Sequence, residues 1–122
     1  MKALLGGENG SSAVEFALVL PILIMLIFGV VEFGIAFGDF LAITHAAREG
    51  ARLAAVGRFS EQTVRERAYP VNPTSISVTY PEGETHGQPV DVRVEYLLHL
   101  SIPFFGARSL PLIGEARMRL EG

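Results

Sequence analysis

Gly10-Ser11-Ser12-Ala13-Val14-Glu15-Phe16 runs straight into the apolar segment Ala17–Val31, and this junction sets the architecture of the chain. From Phe16 to Val31 no side chain is charged or strongly polar. At 1.5 Å per residue such a run covers about 24 Å of helix. Extended to Glu15 and Glu32, it brackets a hydrocarbon core of roughly 30 Å with a carboxylate near each edge. A carboxylate at the edge of lipid is costly to keep, so Glu15 is the first residue that calls for a role.

Outward from this segment the helical pattern continues. Ser11 or Ser12 can cap the first turn. Pro21 falls inside the run, where a membrane helix tolerates a kink without breaking. Phe33, Phe37 and Phe40 follow at i, i+4 and i+7 on one face, and the pattern reaches about Val56, with Gly57 as a C-terminal stop. Gly34, Gly38, Ala42, Ala46, Gly50 and Ala54 place a small residue at every fourth position. Such a ridge lets a second helix backbone approach closely. Alanine alone would be ordinary helix composition, but each glycine costs about 1 kcal/mol against alanine and needs an offset. The ridge therefore predicts a helix–helix contact.

Beyond Gly57 the period changes. Ser60 to Ala68 reads as a short helix capped by Ser60 and ended by Tyr69-Pro70. Ser75–Tyr80 and Val90–Tyr96 alternate, with the turn-rich stretch Pro81–Pro89 between them, and predict an antiparallel pair with Val90, Val92, Val94 and Tyr96 inward. Glu115–Glu121 alternates again, with Ala116, Met118 and Leu120 inward, as a third strand. Leu97–Phe105 is too apolar for a half-exposed strand; the sheet's core strand is the first expectation, with a face packed on the long helix or a contact surface for another subunit as the alternatives. The fold class is α+β: a long N-terminal transmembrane helix extended into a small antiparallel β-sheet head.

Composition narrows the chemistry. The chain has 122 residues, a net charge of -3 and no cysteine. This excludes a disulfide framework and a thiolate metal site, and gives no support to nucleic-acid binding. His45, His86 and His99 have no second ligand at metal spacing. Gly6-Gly7 and Gly10 lack the lysine of a phosphate loop. The arginines alternate with acids, as in Arg48-Glu49 and Arg65-Glu66-Arg67, which is the pattern of a solvated face. No catalytic constellation and no cofactor site is evident, so the chain reads as a non-enzyme.

The stretch from Ser11 to Gly34, followed by Ala42–Arg52, resembles the TadE-like family, small pilin-like proteins of the bacterial tight-adherence (Flp-type IV) pilus system. Gly10 with Glu15-Phe16 carries the resemblance most specifically, and Ala46-Ala47-Arg48-Glu49-Gly50-Ala51-Arg52 supports it independently. The chain departs from the family pattern at Asn9, where relatives usually carry a basic residue. The resemblance implies that a prepilin peptidase cuts after Gly10, leaving Ser11 as the new N-terminus. Glu15 and Phe16 are then the expected assembly residues, because pairing Glu15 with the Ser11 amine of a neighbour would offset the desolvation of both charges. Implied partners are membrane lipid, the peptidase, other pilin-like subunits and the pilus assembly machinery. The expected organisation is a leader over residues 1–10, a helix over 11–57 crossing the bacterial cytoplasmic membrane at about 15–38, and an extracytoplasmic head over 58–122. A cleaved secretory signal would need a shorter apolar run. Arg48, Arg52 and Arg58 would by the positive-inside rule lie in the cytoplasm; their acidic neighbours and the leader-inside orientation of pilin-like proteins point the other way. The alternative is a permanently anchored extracytoplasmic module that binds a ligand or surface and never polymerises.

Overall fold

The computed structural model describes residues 8–121; residues 1–7 of the expected leader lie outside the described residues. The first element, α1, runs unbroken over Glu8–Ala55. Its 48 residues extend about 72 Å. Ser11 and Ser12 do not cap it but lie within its first described turns. Once a helix is nucleated, each further residue adds a hydrogen bond cheaply, so the long apolar run carries this polar flank into the helix. Pro21 is accommodated in the interior, at the expense of one donor to the carbonyl of Ala17. Gly57, at φ 71°, ends the helix. Its N–H bonds the carbonyl of Ala54 at 3.0 Å, and that of Arg58 bonds Leu53 at 2.8 Å. The last carbonyls are thereby satisfied by a left-handed residue that glycine adopts without steric cost.

The short helix α2 spans Glu61–Arg67, and the hydroxyl of Ser60 accepts from the N–H of Thr63 at 3.4 Å as its cap. Glu61 in the first turn and Arg65 and Arg67 in the last complement the helix dipole. Three strands follow: β1 (Ser75–Thr79), β2 (Pro89–Ile102) and β3 (Gly106–Arg119). They form one antiparallel sheet in the order β1-β2-β3, with β2 central.

The core lies between the C-terminal part of α1 and the inner face of this sheet. Ile43, Ala46, Ala47, Ala51 and Ala54 from α1 meet Val90, Val92 and Val94 from β2, with Val64, Ala68 and Val71 closing one side. Fully burying a valine or isoleucine stabilises by about 1.5–3 kcal/mol at most. Alanines on the helix and glycines at two points bring the layers close. A Cβ on Gly114 would lie 2.8 Å from the backbone of Ile43, and one on Gly50 would lie 2.9 Å from Val64 Cγ2 and 3.0 Å from Val92 Cγ1. The hydroxyl of Thr44 is buried at this seam with no hydrogen-bond partner among the described residues, a cost of the close approach.

Two expectations are corrected here. The third strand begins at Gly106, well before Glu115, and pairs with β2 along its full length, from Pro89 opposite Arg119 to Ile102 opposite Gly106. Leu97–Phe105 is consequently no core strand: it is the end of a long hairpin that projects past the core, and within it only Leu98 is buried. Met118 shares the inner face with Val90 by register but stays 43 % exposed at its margin.

Candidate functional site

The residues singled out at the N-terminus all lie on α1. Gly10 is half-buried, while Ser11, Glu15 and Phe16 are exposed. Ser11 and Glu15 are four residues apart and so share one face of the helix. Glu15 makes no ion pair among the described residues. The arrangement presents a free carboxylate at the start of an apolar surface, available to a cation on another molecule.

From Val14 to Phe40 the large apolar side chains of α1 are exposed on every side of the helix. Helices that are apolar all round belong in a protein core or in lipid. Among the described residues nothing buries the most apolar window of this helix, so it is not a core element of its own fold. The helix is long and apolar enough for single-pass membrane anchoring. Phe33 and Phe37 stack with centroids 6.2 Å apart and planes 10° from parallel, still facing outward.

The small-residue ridge divides into two parts. Ala46, Gly50 and Ala54 are buried against the chain's own sheet and α2, and Ala42 packs beside them. This part is taken up by the chain's own sheet and α2 and is not open to a helix of another molecule. Gly34 and Gly38 have nothing within 4 Å of an added Cβ and remain exposed.

The projecting hairpin departs from the first expectation, a core strand, and agrees with the alternative of a face turned to the long helix. Its end lies alongside α1 in the apolar zone. Met25, Phe28, Gly29, Glu32, Phe33 and Ala36 on one side face Leu100–Pro103 and Leu110 on the other, across a groove of about 330 Å³. The geometry is self-consistent. Gly114 seats on Ile43, and eight residues of strand from Gly114 to Gly106 cover about 27 Å. The same length corresponds to about 18 helical residues, which leads from Ile43 back to Met25. The length of the apolar run Leu97–Phe105, repeated at Leu110–Ile113, was the available signal.

The outer face of the sheet is charged. Arg117 donates from Nε and an Nη to the two carboxylate oxygens of Asp91 at 2.6 and 2.7 Å, and Arg93 pairs with Glu95 at 2.7 Å and Glu115 at 3.4 Å. On α1, Arg52 bonds Glu49 in the same two-pronged way at 2.8 and 3.1 Å. The hydrogen bond from Arg117 holds the Asp91 carboxyl below its ordinary range, and that from Arg52 does the same for Glu49. These are exposed pairs of small energetic worth. His99 Nδ1 lies 3.3 Å from Ser109 Oγ at the surface. Among the described residues no group of three His, Cys, Asp or Glu is placed to hold a metal.

Residues 10–52, from the glycine of the expected cleavage site through the ridge, match the family model described as TadE-like protein, a family associated with the tight-adherence pilus. No curated protein and no solved structure matches the chain.

Proposed function

We propose, taking the TadE-like segment over residues 10–52 as premise, that the chain is a pilin-like structural subunit, a minor pilin or pseudopilin of a tight-adherence pilus. The observation that carries this reading is the exposed apolar length of α1 between Val14 and Phe40, joined to a head whose packed core lies only at the far end of the same helix. A subunit that exchanges lipid for the helices of its neighbours needs such a surface. Prepilin peptidase cuts between Gly10 and Ser11 with the leader on the cytoplasmic side. Gly10 lies close to the start of α1, where helices fray and glycine weakens the turn, so the bond can open into an extended strand. The head then lies outside the cytoplasmic membrane. After cleavage the Ser11 amine is a cation, and pairing it with Glu15 of a neighbour offsets the desolvation of both charges while fixing axial register.

The test has two parts. Intact-mass analysis of the membrane-bound protein should give a chain beginning at Ser11, and Glu15→Gln should leave membrane insertion unchanged while abolishing incorporation into pili. Normal piliation of Glu15→Gln would sink the assembly role. A second reading, a permanently anchored extracytoplasmic module, is favoured by the continuity of α1 through Gly10 without a break. A mature protein that still begins at Met1 would select it.

A further inference from the structure

We propose that the end of the β2–β3 hairpin is a second membrane contact, a wedge that dips into the leaflet on the head side and rests on the acyl chains around the exit point of α1. This inference rests on the anchoring of α1 in a membrane, and on no feature of pilus assembly.

Depth is the first argument. The hairpin end faces Met25–Ala36, so any bilayer that receives the apolar run Phe16–Val31 brings its outer boundary to the level of that end. Composition is the second. Between Glu95 and Glu115 the only charged residue is Arg108, and the turn itself is Ile102-Pro103-Phe104-Phe105. Phe104 is 84 % exposed and Phe105 is 64 % exposed. Phe104 holds φ at 70°, a conformation costly for a residue with a side chain. The chain thus keeps two phenylalanines in water at a turn where glycine or asparagine would be cheaper, and lipid is the medium that favours them.

The charge pattern fixes how far the wedge enters. Arg108 stands opposite Leu100, two residue pairs from the closing pair Ile102–Gly106, about 7 Å back from the turn. Arg108 makes no ion pair among the described residues. Interfacial elements bury their apolar face about 5–10 Å below the headgroups, which puts this guanidinium at the phosphates, where a bidentate donor fits. Deeper entry is opposed by the backbone. β1 covers β2 only as far as Glu95, and Thr74 Oγ1 accepts from the N–H of Leu97 at 3.2 Å; past Leu97 the outer edges of the hairpin carry N–H and C=O groups with no partner among the described residues, which hydrocarbon does not satisfy. The wedge is therefore shallow, and the membrane boundary falls near Glu32 instead of Gly38.

The chain has no tryptophan, so single-tryptophan reporters read this directly. The full chain carrying Phe105→Trp, Ile22→Trp or Tyr69→Trp would be reconstituted into vesicles of phosphatidylcholine and phosphatidylglycerol, with bromine on the acyl chains either near the glycerol or near the chain end. Phe105→Trp should lose about half its emission to the shallow bromines and little to the deep ones. Tyr69→Trp, on the exposed far side of the head, should lose none, and Ile22→Trp should be quenched by the deep bromines. Leu110→Trp repeats the reading should Phe105→Trp disturb the turn. Quenching of Ile22→Trp with neither hairpin reporter affected overturns the wedge and leaves the anchor standing. Failure of Ile22→Trp to quench removes the anchor and the wedge together. Hairpin emission that shifts blue with protein concentration and ignores bromine assigns the surface to a second copy of the chain and overturns the proposal.

Discussion

The two ends of α1 use similar residues for opposite purposes. Toward the C-terminus, Ala46, Gly50 and Ala54 make room for the sheet and are buried to the last atom or nearly so. Toward the N-terminus, Gly34 and Gly38 make room for nothing within the chain. Small residues permit close approach but do not name what approaches. The sheet answers that question at one end; at the other it is left to lipid or to a neighbour. A single continuous helix thus joins an interior to an anchor, and the boundary between the two falls near Ile43.

The sharpest way to break this contrast is at its seam. Gly114→Ala places a methyl group 2.8 Å from the backbone of Ile43, which cannot rotate away. The sheet must lift off the helix, and we expect the head to lose about 3 kcal/mol or more, at the upper end of overpacking costs. Thermal unfolding in detergent, followed by the far-ultraviolet signal of the sheet, would measure it. An unaltered midpoint would show that the seam is looser than the distances imply.

Next in size is the paired substitution Gly50→Ala and Gly38→Ala. Both gain about 1 kcal/mol of helix propensity. At Gly50 the new methyl meets two valine side chains, which have some freedom to shift, so a net loss of about 1–2 kcal/mol is expected. At Gly38 nothing is met, and head stability should hold or rise slightly. Equal behaviour of the two in the same unfolding assay would erase the distinction between the two ends.

The smallest effect is electrostatic and confined to the head. Asp91 and Glu49 carry carboxyls held below their ordinary range by Arg117 and Arg52. Such groups bind fewer protons folded than unfolded, so their contribution is present above the ordinary carboxylate range and is lost as pH falls through it toward the folded values. The melting temperature should be level from neutral pH to about pH 5 and dip slightly below about pH 4. Asp91→Asn should flatten part of that dip; a dip of unchanged depth would show that Asp91 has no share in it.

Much of this was legible in the chain itself, for identifiable reasons. Val90, Val92 and Val94 alternate with Asp91, Arg93 and Glu95, and a strand with one apolar face has one register. Gly57 marked the end of α1 because a left-handed cap is cheapest for glycine. The first half of β3 was hidden because Leu110-Pro111 reads as an interruption. Proline is tolerated there because β3 is an edge strand, with no partner on its outer side among the described residues. Leu97–Phe105 was read as core because apolarity reports avoidance of water and not the medium that replaces it. The ridge is ambiguous for a similar reason: four-residue spacing announces a close neighbour without naming it, and at Gly50 that neighbour is Val64 of α2 together with Val92 of the sheet. The roles proposed for Gly10, Ser11 and Glu15 concern other molecules, so the fold of the single chain does not test them.

The seat of Gly114 on Ile43 has a consequence for how the protein is made. Roughly seventy residues of chain separate the two halves of that contact, and closing so long a loop is slow relative to forming the helix. The helix is complete, and its alanine face uncovered, while most of the sheet is still unsynthesised. Until β3 arrives, that face is open to the same stretch of helix in any neighbouring copy, so each new chain passes through an interval in which its interior can be mistaken for its exterior. The rate at which β3 is delivered sets the length of that interval.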